Sequence, residues 1–372
     1  MDIDAPLPLL GGLSPAQFMR RHWEKKPLLV RQAWPGIRPP VTRAQAFALA
    51  SSDDVESRLV VRSGGGWQVK HGPLPRRALP PVAQPEWTLL VQGLDLHVDA
   101  ARALLEPFRF VPEARLDDLM ISWASDGGGV GPHVDAYDVF LLQVHGRRRW
   151  RVGRVADPSH IDGLPLKILR QFEPEFDWVL EPGDMLYLPP LWGHDGVAVG
   201  ECMTCSVGFR SPEALGLSAD LLQRLADGDD DERGRLYKDP SQAATTTPGA
   251  IPAALTDFAR QAVLKRLDEP GALQRALGEA LSEPKPRVWF EAGGHGELTQ
   301  GVRLDRRSRM LYDDRHVFIN GEAFRVAGRD ATLMRRLADA RCLSAADCAK
   351  LGADAQEVVQ GWLDDGWLQP GD

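Results

Sequence analysis

The sequence predicts an α+β protein: a β barrel or double sheet, then a helical segment, then a small winged-helix-like domain. Three observations carry this. Between about Leu119 and Phe209, short apolar runs alternate with Gly and Pro punctuation, a pattern of closely spaced strands rather than of βαβ units. After Arg210, apolar residues recur at helical spacing, and from Pro284 a hairpin signal is followed by three short helical patterns. At 372 residues the chain is also too long for one ordinary core. The expected divisions are 1–210 for the barrel with an N-terminal α/β extension, 211–284 for the helical segment and 285–372 for the last domain.

Taken in order, Ser14-Pro15 caps a helix carrying Phe18 and Trp23, and Pro27 stops it before the apolar run Leu28-Leu29-Val30, read as a strand. Residues 98–107 read as another helix, ended near Pro107. Met120-Ile-Ser-Trp123 is a strand running into Gly127-Gly-Gly-Val-Gly-Pro132. His133-Val-Asp-Ala-Tyr137 and the run to Gln143 read as the next strand, and Arg148-Arg-Trp-Arg-Val152 follows a turn. Glu181-Pro-Gly-Asp184 is a turn, Met185–Leu188 a strand and Pro189-Pro190 a stop.

Ser211-Pro212 is read as the cap and first turn of a helix bearing Leu217, Leu221, Leu222 and Leu225. Gly228–Arg233 is a solvated acidic break, and helices are expected near 252–267 and 270–282. This segment has apolar faces without recognisable chemistry, so packing or dimerisation is its expected role. His316 to Val326 is a hairpin around Asn320-Gly321, whose residue types favour the positive φ of a tight turn. Helices then carry Leu333 and Leu337, begin at the capping-box signal Ser344-x-x-Asp347, and carry Val358, Val359 and Trp362. The final helix is acidic and would repel phosphates, so protein contact is favoured over DNA.

Composition narrows the function. A net charge of −8 argues against general nucleic-acid binding and is compatible with a basic protein partner. The apolar runs are too short to span a bilayer, and the start, Met1-Asp-Ile-Asp4, lacks a signal-peptide pattern, so a cytoplasmic protein is expected. Cys202-x-x-Cys205 invites a zinc or redox reading, but it lies in a strand pattern that sends the two thiols to opposite faces, which favours inert thiols.

The chemistry concentrates in one place. Strand residues two apart share a face, so His133 and Asp135 are expected to point the same way, with Tyr137 beyond them. An imidazole and a carboxylate are two parts of a facial triad, which leaves three positions open on iron(II). The later turn, strand and proline stop can bring His194 to this pair. His22, His71, His97, His145, His160, His295 and His316 lack such a setting. In Arg147-Arg-Arg-Trp-Arg-Val152, alternation puts Arg148 with Trp150 and Val152, and Arg147, Arg149 and Arg151 on the other face. One guanidinium among apolar neighbours suits carboxylate binding, although a basic edge strand remains the alternative.

These stretches resemble the JmjC-type cupin oxygenases, and specifically the bacterial ribosomal oxygenases. The resemblance rests on Asp117–Ser122, Gly127–Phe140, Gly146–Gly153, Glu181–Asp184, Tyr187–Pro190, His194 and Ser206–Arg210. It implies a double-stranded β-helix barrel, a helical dimerisation segment and a C-terminal winged helix. It further implies His133, Asp135 and His194 as iron(II) ligands, Arg148 as the partner of the distal carboxylate of 2-oxoglutarate, and dioxygen as the other cosubstrate. The implied partner is a ribosomal protein, hydroxylated at the β-carbon of an arginine in large-subunit protein sixteen by a homodimer; from the acidic last helix and the short apolar runs, no contact with DNA or membrane is expected. Histidine hydroxylation, demethylation and a non-catalytic metal-binding sensor are the alternatives. Tyr137, Met120 and Asp126 are candidates for the substrate side. Where relatives can carry a serine near the cosubstrate, this chain has Ala124. Loss of one neutral hydrogen bond, worth about 1 kcal/mol net, should weaken rather than abolish binding, and Ser122 shares the same face.

Overall fold

The computed structural model describes residues 2–226, 236–292 and 296–371; the expected acidic break at 228–233 and His295 lie outside the described residues. Two compact units result, Met1–Ser211 and Pro212–Asp372.

The first unit opens with α1 (Pro15–Arg21), where Ser14 and Gln17 form a reciprocal capping box, and β1 (Leu28–Val30). There follow α2 (Arg43–Leu49), β2 (Ser57–Ser63), β3 (Gly66–His71), β4 (Trp87–Val91) and α3 (Asp99–Ala103), the last shorter than its sequence signal. The barrel strands are β5 (Leu116–Ala124), β6 (Asp138–Arg154), β7 (Phe176–Leu180), β8 (Met185–Leu188) and β9 (Trp192–Phe209). They join one antiparallel sheet in the order β1-β8-β6-β9-β5-β4-β2-β3, with β7 also on β6.

β6 and β9 are the axis of the barrel, paired from Asp138↔Phe209 to Arg154↔Trp192. The register shifts on either side of His145, and beside it Gly146 has φ +60°. A Cβ at Gly146 would meet the Glu201 carbonyl oxygen at 2.1 Å, so only glycine lets the strands approach there. Across this bulge the other edge of β6 changes partner, from β8 at 139–142 to β7 at 148–152. Bulges bend strands and increase twist, which is how two long strands wrap into a barrel.

Alternation then sorts the side chains. Phe140 and Leu142 pack with Phe18, Trp23, Tyr187 and Phe209 under the N-terminal extension, while Val139 and Leu141 pack with Trp150, Val152, Leu186 and Leu188 in a separate core. Buried polar bonds clamp the extension onto the barrel. The Tyr187 hydroxyl donates to Asp138 at 2.5 Å and accepts from the Glu24 backbone N–H at 2.8 Å. Burial raises the Asp138 carboxyl to about 6, against the lowering effect of the Tyr187 hydrogen bond.

The turn Glu181–Asp184 forms as expected: Asp184 N–H bonds the Glu181 carbonyl at 2.9 Å, and Gly183 has φ +98°. The buried Asp184 carboxylate accepts from Arg31 at 2.6 Å, Gln32 N–H at 2.9 Å and Glu181 N–H at 3.0 Å. Burial pushes its pKa up, but these donors outweigh it and hold the group below the usual carboxylate value. A depressed folded pKa stabilises above the unfolded pKa, and that stability is lost as pH falls through the folded value. Asp184→Ala should therefore cost about 2 kcal/mol at pH 7. In urea titrations against wild type, the difference should shrink below about pH 4. A deficit independent of pH would mean that the ionised carboxylate is not the stabilising species.

The second unit contains α4 (Ala214–Ala226), α5 (Ala253–Asp268) and α6 (Ala272–Ser282), then β10 (Val302–Leu304), β11 (Met310–Tyr312), β12 (His316–Ile319) and β13 (Glu322–Arg325). It ends with α7 (Gly328–Ala340), β14 (Cys342–Leu343), α8 (Ala345–Cys348), α9 (Ala353–Asp364) and β15 (Leu368–Pro370). The strands form two small sheets, β14-β10-β15 and β11-β12-β13. Asn320 at φ +52° and Gly321 at φ +91° make the expected tight turn of the β12–β13 hairpin. Two local signals read differently. Ser211-Pro212 does not start α4, which begins at Ala214; the Ser211 hydroxyl instead accepts from Arg115 at 3.2 Å. At Ser344 the hydroxyl caps the Asp347 N–H at 3.2 Å, but the Asp347 carboxylate accepts from that hydroxyl and from Lys350.

Candidate metal centre

His133 and Asp135 precede β6 rather than lying in a ladder, so the strand argument for their shared direction needs correction. What holds them is a single antiparallel bridge between His133 and His194, with reciprocal backbone bonds of 3.0 and 2.9 Å. Gly131 has φ +78°, and a Cβ there would strike Ile168 at 2.4 Å. A Cβ on Gly129 would strike the Gly196 carbonyl oxygen at 2.6 Å. Gly129 thus lets this segment lie flat against β9, and Gly131 lets it pass close to Ile168. Asp135 is fixed by its own carbonyl, which accepts from the Leu191 N–H at 2.8 Å, with Leu191 in the left-handed region at φ +64°.

The three side chains converge. Nε2 of His194 lies 3.4 Å and Nε2 of His133 3.7 Å from Oδ2 of Asp135, and the candidate ligand atoms all fall within 4.8 Å of one another. Among the described residues this is the one such cluster. Each histidine bonds a carbonyl through Nδ1, His133 to Gly131 at 2.8 Å and His194 to Trp192 at 3.0 Å. A carbonyl only accepts, so in each neutral imidazole Nδ1 carries the proton and Nε2 keeps its lone pair for a metal. Burial and the charge of His194 lower His133 to about 4, against the pull of Asp135. For Asp135, burial acts upward, but the His194 hydrogen bond and the charges of both histidines bring it to about 2. Burial would also lower His194, and the Asp135 hydrogen bond and charge raise it instead. Two imidazoles and one anionic oxygen on one side fit an octahedral ion with open positions.

Arg148 lies on the inward face of β6, 5% exposed, while Arg147, Arg149 and Arg151 face out. Its Nη1 donates to the Ser122 hydroxyl at 3.2 Å; Nε and Nη2 have no partner. Ala198, its register partner on β9, packs with Ala124 and Cys202. A buried guanidinium with two free donors calls for an anion, because an unpaired buried charge is costly. Free Nε2 lone pairs and unpartnered guanidinium N–H groups therefore fit a metal and a dicarboxylate.

The remaining candidates separate. Tyr137, 37% exposed, hydrogen-bonds Asp135, and Met120 is half-buried on β5. Asp126 is exposed, and its carboxylate accepts from the Gly200 N–H at 2.7 Å, a loop-fixing role. His22 bonds the Pro27 carbonyl, His316 contacts Asp313, and His145 is exposed. Cys202 and Cys205 are both buried and free, in different apolar clusters, as the strand reading implied. The sequence reading missed Leu191, and nothing local in Pro190-Leu-Trp192 signals a left-handed leucine.

Residues 103–217 match the JmjC domain family and residues 265–369 the ROXA-like winged helix. The chain is 37% identical over 324 residues to the ribosomal protein uL16 3-hydroxylase of Escherichia coli, covering 82% of this chain and 84% of that one. The chain belongs to the JmjC-domain ribosomal oxygenases. The X-ray structure of Escherichia coli YcfD superimposes with a TM-score of 0.85 at 30% identity, over 96% of this chain and 98% of that one. The ribosomal oxygenase YcfD in complex with cobalt and 2-oxoglutarate matches with a TM-score of 0.78 at 31% identity, over the same shares. For a ribosomal oxygenase, the barrel interior described above is where a metal and a dicarboxylate are needed together.

Proposed function

We propose that this ribosomal oxygenase uses iron(II), 2-oxoglutarate and dioxygen to hydroxylate an arginine of ribosomal protein uL16 at its β-carbon. His133, Asp135 and His194 hold the metal and Arg148 holds the distal carboxylate. The observation that carries this reading is the pair of histidine Nε2 atoms converging with Asp135 Oδ2, beside a buried guanidinium with two unmet donors. The cobalt and 2-oxoglutarate bound by YcfD support the cofactors, and the 3-hydroxylase activity of the Escherichia coli relative supports the β-carbon.

Bound iron supplies oxygen activation: one oxygen atom enters the substrate C–H bond, the other enters succinate, and carbon dioxide leaves 2-oxoglutarate. The chain's residues do the rest. The carbonyls of Gly131 and Trp192 orient the imidazoles, and Arg148 fixes the far end of the cosubstrate. Trp150, Val152, Leu186 and Leu188 wall the interior and exclude water. Tyr137 and Met120 line the substrate side. The protein acts in the cytoplasm; no helix among the described residues is long and apolar enough to cross a membrane. Residues 211–284 form the homodimer contact, because Leu215, Leu222, Val263 and Leu264 are exposed there. The last domain, 285–372, contacts protein rather than DNA. From Ala353 to Asp365 it carries four acidic side chains and no basic one.

The purified protein, iron(II) and 2-oxoglutarate should add about 16 Da to a uL16 fragment in an oxygen-dependent way, the mass of one oxygen atom. Tandem mass spectrometry should locate it on one arginine. Succinate formation without that gain would keep the oxygenase and remove the substrate. A gain on histidine would select the other hydroxylase type.

A further inference from the structure

We propose that Trp150 is a second anchor for the cosubstrate, its indole N–H donating a hydrogen bond to the same distal carboxylate that Arg148 holds. The inference rests on the functional reading above and adds a residue that this reading uses only as a wall.

Trp150 follows Arg148 by two on β6, so both side chains enter the barrel from one strand face. It is 6% exposed, and its Nε1 has no hydrogen-bond partner. The guanidinium carbon of Arg148 lies 5.7 Å from the indole centroid. Three buried N–H groups without partners, Arg148 Nε, Arg148 Nη2 and Trp150 Nε1, therefore share one wall. An indole and a guanidinium only donate, so what satisfies this wall must bring acceptor oxygens. A carboxylate has about four lone-pair sites, enough for a bidentate guanidinium and one more donor. Trp87 and Trp362 also have unpartnered indole nitrogens, but each sits within a large apolar core. Among the described residues, Trp150 is the one tryptophan of these three that lies over an unpaired guanidinium.

The ring's orientation is built in from β9. Gly196 is the register partner of Trp150, and a Cβ there would meet Cζ3, Cη2 and Cε3 of the indole at 2.6, 2.7 and 2.9 Å. Those atoms form the edge of the six-membered ring remote from Nε1. Gly196 thus receives the carbon edge and leaves the nitrogen edge turned away from β9. The ring centroid is 5.9 Å from that of His194 and 5.7 Å from the Arg148 guanidinium carbon, and the register sets Trp150 on Gly196, between Ala198 opposite Arg148 and His194 opposite Val152.

The test is calorimetric titration of the iron(II)-loaded protein without oxygen, so that no turnover intervenes. The ligands are 2-oxoglutarate and 2-oxopentanoate, which keeps the 2-oxo acid and has methyl in place of the distal carboxylate. Trp150→Phe keeps a ring against His194 and removes the donor. It should weaken 2-oxoglutarate roughly tenfold or more, the size of a hydrogen bond to a charged acceptor, and leave 2-oxopentanoate and iron content unchanged. Gly196→Ala, which displaces the indole without removing it, should give the same selective loss and serves if the first variant does not fold. Wild-type affinity for 2-oxoglutarate in a folded variant overturns the proposal, as does an equal loss for both ligands, which would make the ring a support for the metal site. Failure of the wild type itself to bind 2-oxoglutarate would instead remove the functional reading on which the inference stands.

Discussion

Asp135→Ala should give a protein that folds, retains no iron(II) and forms no hydroxylated product. Asp135 supplies the only anionic oxygen among the three convergent ligand atoms, and its carboxylate is held at about 2, fully ionised at neutral pH. Without it two neutral imidazoles remain, too few ligands to keep a labile ion at micromolar concentration. The backbone at this position does not depend on the side chain, because the Leu191 N–H bonds the carbonyl of residue 135. The His133–His194 bridge is also made by backbone atoms, so the segment should keep its place. Thermal melting should therefore match the metal-free wild type, while elemental analysis shows no iron and mass spectrometry no product. His145→Ala is the control: His145 is exposed at the bulge of β6 and should leave both iron and turnover intact. Wild-type iron content in the Asp135 variant would remove this residue from the ligand set.

The contrast between Arg148 and His133 shows what was legible in the sequence. The sorting of Arg147 to Val152 needed only the period of a strand, and both faces come out as that period requires. His133 and Asp135 were legible as a spacing, but the reason was not. The ladder starts only at Asp138, and one bridge to a residue sixty-one positions later, His194, does the positioning. Such closure depends on Gly129 and Gly131 meeting atoms from Gly196 and Ile168, contacts no local pattern encodes. The same limit explains Ser211-Pro212. As a cap signal it is sound, but Arg115, ninety-six residues earlier, engages the Ser211 hydroxyl. Local chemistry named the residue types and the faces; long-range backbone packing decided which of them meet.

Arg148→Met should separate stability from binding more sharply than any other change in the barrel. The guanidinium is 5% exposed, has one hydrogen bond, to Ser122, and no ion-pair partner among the described residues. Replacing a poorly compensated buried charge by an apolar side chain of similar length is often neutral or stabilising, by about 1–4 kcal/mol. Ser122 would not be orphaned, since its hydroxyl also donates to the Thr204 carbonyl at 3.4 Å. The metal-loaded variant should therefore melt at or above the wild-type temperature when 2-oxoglutarate is absent. With 2-oxoglutarate the order should reverse. A ligand at a hundred times its Kd stabilises the native state by about 2.7 kcal/mol, and the wild type gains this while the variant does not. Loss of the charged partner of a buried carboxylate should weaken 2-oxoglutarate by roughly two to three orders of magnitude. Melting curves with and without the cosubstrate read both effects in one experiment. A variant that melts lower in its absence would show that the guanidinium holds the barrel together. A variant that keeps the 2-oxoglutarate shift would move the distal carboxylate to another residue. The combination of raised or equal stability with a lost ligand shift is what an arginine kept for its cosubstrate, at the fold's expense, must give.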